Sequence, residues 1–137
     1  MLAEIQQTSD ITYRIYDWDR VDDQGNEREL HNDLAIDAID FNMKDDFRVE
    51  YSEKINTCNN MVSCPYFTTN LLPIKGNLKK ENDKDSFLIY MCVEGDATIK
   101  TDNYSIKIKK GETVLMPAAL KEFTLYSESA KLLEVYV

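Results

Sequence analysis

Residues 4–20, EIQQTSDITYRIYDWDR, place one Glu, two Gln, three Asp, two Arg, two Tyr and the chain's only Trp within seventeen positions. These residue types carry acid–base and recognition chemistry. A guanidinium supplies fixed donors for a phosphate, or for an oxyanion that develops during a reaction. A carboxylate beside it accepts or orients protons. Tyr16 and Trp18 are flat, amphipathic surfaces of the kind that pack on sugar rings. Glu4, Gln6, Asp10 and Arg14 are therefore the candidate set, able to converge at one mouth of a barrel. The same residues also suit a strand with satisfied ion pairs, such as Arg14 with Asp10 or Asp17. Composition alone leaves both readings open, because structural ion pairs cluster in this way too.

The elements that position these residues follow from periodicity. Residues 2–7 can be extended, and Thr8-Ser9-Asp10 is a turn signal. Residues 11–18 are β-branched and aromatic and predict a strand, with Thr12, Arg14, Tyr16 and Trp18 on one face. Asp22 to Asn26 is a loop. Over 30–41 the apolar positions Leu34, Ala35, Ala38 and Ile39 switch to helical spacing. Asn32 or Asp33 would cap a helix of two to three turns. Residues 42–65 give no clear pattern beyond a short strand at 47–52. Residues 66–74 predict a strand, and Lys75 to Asp85 a charged surface loop. From Ser86 onward, short strands recur at close spacing: SFLIYMCVEG, DATIKT, YSIKIKKG, ETVLMP, KEFTLYSE and KLLEVYV. Gly95-Asp96, Asp102-Asn103 and Lys110-Gly111 mark the turns. Such spacing predicts a mainly β chain closed into a barrel or sandwich, with one short helix.

Composition narrows the function classes. With 137 residues the chain reads as a single domain over 1–137: an active-site strand segment at 1–20, a helix at 30–41 and barrel strands at 66–137. A net charge of −9 argues against nucleic acid as a partner, since that binding rests on Lys and Arg neutralising phosphates. It does not exclude a small anion held by local cations. No run is apolar and long enough for a membrane helix, and MLAEIQQTSD lacks the pattern of a secretion signal. Cys58, Cys64 and Cys92 are odd in number and lack a CxxC pair, which fits reduced thiols and a cytoplasmic location. The Cys58-x5-Cys64 spacing is irregular for zinc and lacks a second ligand pair.

Gly95, a hairpin, and then the run from Gly111 to Pro117 resemble the jelly-roll core of the cupins. The histidines of the metal-binding cupin motifs have no counterpart in SFLIYMCVEG, and the position five residues after Pro117 holds Glu122. The one histidine, His31, lies in the predicted helix. The resemblance therefore implies a cupin-like jelly roll with no metal site of its own, which argues against a metal-dependent cupin oxygenase. Residues 4–20 resemble more specifically the segment E-x-Q-Q-x-S-D-x-T-Y-R-x-Y-D-[WF]-x-R of bacterial type I mannose-6-phosphate isomerases. RELH, GETVLMPA and the closing LLEVYV also resemble the C-terminal part of that family. The resemblance implies an isomerase that interconverts mannose 6-phosphate and fructose 6-phosphate with zinc. Within it, Arg14 matches the catalytic arginine that stabilises the enediolate. Glu4 and Asp10 match active-site carboxylates. Zinc is implied only for the intact family enzyme. Its ligands lie upstream of the EIQQ segment, so the resemblance implies a C-terminal portion that is inactive alone. The alternative is a metal-free cupin module for sugar binding or for homodimer formation, because lost strands leave apolar surface to be covered.

Overall fold

The computed structural model describes residues 2–7, 11–43 and 46–137. The chain forms two compact units: one made of Met1–Ile5 and Arg48–Val137, the other of Gln6–Phe47.

The larger unit is an antiparallel sheet. Its strands are β1 (Asn59–Ser63), β2 (Thr68–Glu81), β3 (Leu88–Lys100), β4 (Ser105–Lys109), β5 (Thr113–Met116) and β6 (Glu122–Tyr136). The spatial order is β1-β2-β6-β3-β4, and β5 pairs with the first half of β3. One face builds a single core that includes Leu72, Leu88, Tyr90, Ile99, Leu125 and Leu132. The barrel-or-sandwich strands expected from the spacing are present, joined by the predicted turns at Asp102-Asn103 and Lys110-Gly111.

Two expected breaks are instead bulges inside longer strands. On β6 the inward residues run Phe123, Leu125 and Ser127, then Ala130, Leu132 and Glu134. The register slips between Ile74 and Gly76 of the facing β2, where two steps on β2 answer three on β6. KEFTLYSE and KLLEVYV are thus one strand with its side-chain phase shifted by a bulge. On β3 the inward set passes from Tyr90 and Cys92 to Ala97 and Ile99, again across a register shift. Gly95 sits at that step rather than in a turn. Its φ is +71°, and a Cβ there would stand 2.3 Å from the Ser129 carbonyl oxygen, so glycine is required.

The charged loop expected over Lys75 to Asp85 is corrected by β2, which continues through Glu81. Its second half alternates, with Lys79 and Glu81 exposed and Leu78 and Lys80 turned inward. A lysine-rich composition hid a period of two. Pro73 lies past the end of the β1 pairing, which stops at Leu71, so its missing N–H removes no ladder bond there. Its carbonyl instead accepts the Asn56 N–H at 2.7 Å.

The smaller unit contains α1 (Asn32–Ala38), shorter than the predicted 30–41. His31, not Asn32 or Asp33, occupies the N-cap, with no side-chain cap bond. The strand expected over 11–18 does not form: among the described residues, the only pairing outside the sheet is the bridge between Val21 and Glu27. Trp18 and Asp19 both have positive φ, which breaks an extended path. The expected strand at 47–52 is likewise irregular chain.

Candidate functional site

In the smaller unit the organising group is Asp17, one of two buried residues between Ile11 and Met43. Arg28 grips both carboxylate oxygens: Nε donates to Oδ2 at 2.7 Å, and a second nitrogen donates to Oδ1. Arg20 donates to Oδ1 at 2.9 Å, and Arg14 Nε stands 4.0 Å from the same atom. The Arg28 bonds, with Arg20 beside them, hold the Asp17 carboxyl far below the usual carboxylate range. The positive-φ turn at Trp18 and Asp19 lies directly after Asp17 and closes with the Arg20 N–H donating to the Asp17 carbonyl at 3.1 Å.

Arg14 is held by its backbone as well. Its N–H donates to His31 Nδ1 at 3.1 Å, and its carbonyl accepts the His31 N–H at 2.7 Å. One guanidinium nitrogen donates to the Glu29 carbonyl at 3.0 Å, and the side chain remains 22% exposed. Tyr16 and Trp18 come together, with ring centroids 5.6 Å apart and planes tilted by 50°. Tyr16 donates to Asp19 Oδ2 at 3.2 Å. The unit thus brings Arg14, Tyr16 and Trp18 into one short stretch built on Asp17. Glu4 is an exposed residue of the larger unit. Asp10 lies outside the described residues.

The larger unit holds a second polar cluster that periodicity did not single out. Glu134 is 3% exposed, and its two oxygens receive four donors. Oε2 accepts from Tyr90 at 2.5 Å and pairs with Lys80 Nζ at 2.8 Å. Oε1 accepts from Cys58 Sγ at 3.1 Å and from Asn70 Nδ2 at 3.4 Å. Lys80 also donates to Cys58 Sγ at 3.1 Å. Burial alone would raise the Glu134 carboxyl, but the Lys80 ammonium and the bonds from Lys80, Tyr90 and Cys58 outweigh it and hold it below its ordinary value. Burial raises the Cys58 thiol, and the Glu134 charge pushes the same way. For Lys80, burial pulls downward and Glu134 more than reverses it. A cavity of about 190 Å³ opens onto the cluster, lined by Cys58, Asn70, Lys80, Leu88, Glu134 and Tyr136 among others. One signal was available in the sequence: a lone Glu inside LLEVYV, where an interior strand should be apolar.

Among the described residues, no three His, Cys, Asp or Glu side chains converge to hold a metal ion. The buried carboxylates are committed elsewhere, Asp17 to arginines and Glu134 to Lys80, Tyr90, Cys58 and Asn70. The described residues therefore do not fit the zinc that the resemblance implies.

A family model described as the mannose-6-phosphate isomerase cupin domain matches residues 57–137, which contain every strand of the sheet. The chain belongs to this family. The chain is 35% identical, over 127 residues, to the putative mannose-6-phosphate isomerase YvyI of Bacillus subtilis, covering 91% of itself and 40% of that protein. The structure matches that of the mannose 6-phosphate isomerase from Bacillus subtilis with a TM-score of 0.71 and 30% identity, over 94% of this chain and 41% of that one. A cupin-2 domain protein from Shewanella frigidimarina shares the fold, with a TM-score of 0.53 and 16% identity, over 61% of this chain and 82% of that one. The cupin fold read from the Gly95 and Gly111-to-Pro117 pattern is thereby established. The chain spans about two-fifths of the length of the isomerases it matches. No helix among the described residues is long and apolar enough to cross a membrane.

Proposed function

We propose that this chain supplies the C-terminal cupin portion of a zinc-dependent mannose-6-phosphate isomerase and does not turn over substrate alone. The reaction interconverts mannose 6-phosphate and fructose 6-phosphate by moving a proton between C1 and C2. The observation that carries the reading is the match to the Bacillus subtilis isomerase along 94% of the chain, including the smaller unit as well as the sheet. Zinc, in this reading, is held by the part of the enzyme that the 137 residues do not span.

The role of this chain's residues then follows from their chemistry. Arg14 is anchored at the backbone by His31 and at one guanidinium nitrogen by Glu29, which fixes the direction of its remaining donors. A fork held in this way stabilises the negative charge of an enediolate without having to reorganise as that charge develops. Asp17 neutralises part of the local cationic charge and locks Arg20 and Arg28, so the arginines do not repel one another. Glu4 and Asp10 are the carboxylates assigned to proton transfer, and Tyr16 and Trp18 offer ring faces to the sugar. The setting is the cytoplasm, where sugar phosphates reside.

A coupled isomerase assay on the pure 137-residue chain with added zinc tests this. The expected result is no turnover alone, and turnover once the chain is joined to the part of the YvyI protein that it does not span. Turnover by the chain alone that vanishes in Arg14→Ala would overturn the reading.

A further inference from the structure

The contact between Cys58 and Lys80 has no part in the proposed isomerisation. The nitrogen-to-sulfur distance is 3.1 Å. The ammonium is held there from its other side by the buried Glu134, at 2.8 Å, and the lysine side chain is only 16% exposed. The approach is therefore fixed by a carboxylate in the sheet and not by two flexible chains meeting on a surface. Cys58 itself is exposed, and the cavity of about 190 Å³ gives a small solute access to its sulfur. Cys58 Sγ stands 3.1 Å from Glu134 Oε1, within hydrogen-bond reach, so a proton acceptor is already in place. The other two thiols have no such setting. Cys64 donates to the Phe67 carbonyl, and Cys92 is fully buried beside the Glu94 and Gly95 carbonyls.

We propose that Cys58 and Lys80 are a paired oxidative modification site, where a small hydroperoxide converts their contact into a covalent sulfur–nitrogen link. In the first step Sγ attacks the terminal peroxide oxygen. The S–O bond forms and the O–O bond breaks. The thiol proton passes by way of Glu134 to the departing oxygen, which leaves as an alcohol, or as water when the oxidant is hydrogen peroxide. Sulfur is oxidised by two electrons to a sulfenic acid, and the peroxide is reduced by two. Sulfenic acids condense with nearby nucleophiles, including nitrogen. In the second step Lys80 releases one proton to solvent and Nζ attacks Sγ. The S–N bond forms, the S–O bond breaks, and the hydroxyl leaves as water with a second proton from Nζ. The link ties β2 to the segment that leads into β1.

Peptide mapping by mass spectrometry, on the intact chain treated with hydrogen peroxide, tests the pairing. The expected product is one cross-linked peptide holding Cys58 and Lys80, lighter by two hydrogen atoms than the two parts together. Cleavage by trypsin after Lys80 is lost, and dithiothreitol restores the free thiol. Lys80→Arg keeps a cation against Glu134, and in this variant Cys58 becomes the dimedone-reactive residue with no link. Cys58 remaining a free thiol, or ending as sulfenic or sulfinic acid with Lys80 unlinked in the natural sequence, overturns the proposal. So does a link to any other lysine.

Discussion

Tyr90 on β3 and Glu134 on β6 stand directly opposite each other in the sheet, and the Tyr90 hydroxyl donates to Glu134 Oε2 at 2.5 Å. The bulge in β6 makes this possible. Without the phase shift after Ser127, the even-numbered residues 130, 132 and 134 would face outward and their odd-numbered neighbours inward. Lys80 reaches the same carboxylate from β2, on the other flank of β6. One charge thus receives donors from both strands that pair with its own.

Glu134→Gln keeps the shape and removes the charge, leaving Lys80 partly buried without its counter-ion. Breaking a buried pair in this way costs about 3 kcal/mol, the low end of the usual range because Lys80 keeps 16% exposure. Urea unfolding measures it: the midpoint falls while the slope stays unchanged. A loss below about 0.5 kcal/mol, as for an ordinary surface substitution, would mean that the pair does not act as a buried one.

The same cluster sets the pH window of stability. The Glu134 carboxyl lies below its ordinary value of 4.5, so its contribution is complete above 4.5 and is lost as the pH falls through the depressed value. Cys58 and Lys80 lie above 9.0 and 10.5, so their contributions are complete below 9.0 and are lost as the pH rises through the elevated values. Thermal unfolding across pH should therefore show a plateau between 4.5 and 9.0 from this cluster. In Cys58→Ala the alkaline fall starts later, since one of the titrating groups is gone.

Gly95→Ala forces a left-handed backbone on a residue with a side chain and drives its Cβ toward the Ser129 carbonyl, 2.3 Å away. The cost is about 2 kcal/mol or more, because the contact is with backbone that cannot rotate aside. Gly25 is the comparison. It has φ +83° but open space around it, so Gly25→Ala meets only the conformational part of that penalty. Thermal melts of the two variants should differ, with Gly95→Ala the lower.

Much of the sheet was legible because its apolar residues alternate and its turns carry Gly, Asp and Asn. Leu88, Tyr90 and Cys92 announce β3 in this way. Three features were not. Composition puts Lys80 in a solvated loop, since a lysine stretch shows its alternation only when one knows which lysine has a buried partner. Residues 11–18 have strong strand propensity, but Asp17 with its arginines and the left-handed turn at Trp18 and Asp19 override it. The bulges look like strand ends in sequence, because Gly95-Asp96 suits a turn and a bulge equally. For the candidate site, the expected ion pair of Arg14 with Asp10 or Asp17 is met by Asp17, at 4.0 Å, whereas the shared strand face expected for Arg14, Tyr16 and Trp18 is absent because no strand forms over 11–18. The spacing did not show that Asp17 would serve Arg20 and Arg28 as well, since Arg28 is eleven residues away and arrives only through the fold.

The most direct test of the proposed function is the effect of Arg14→Ala on kcat in the isomerase formed by joining this chain to the part of the YvyI protein that it does not span. Circular dichroism first confirms that the variant folds. The expected result is a fall in kcat of roughly 10²- to 10³-fold, as for the loss of one donor to a developing oxyanion, with a much smaller change in KM. Arg14→Lys should recover part of the loss. An unchanged kcat in folded Arg14→Ala would contradict a place for this arginine in the isomerase site.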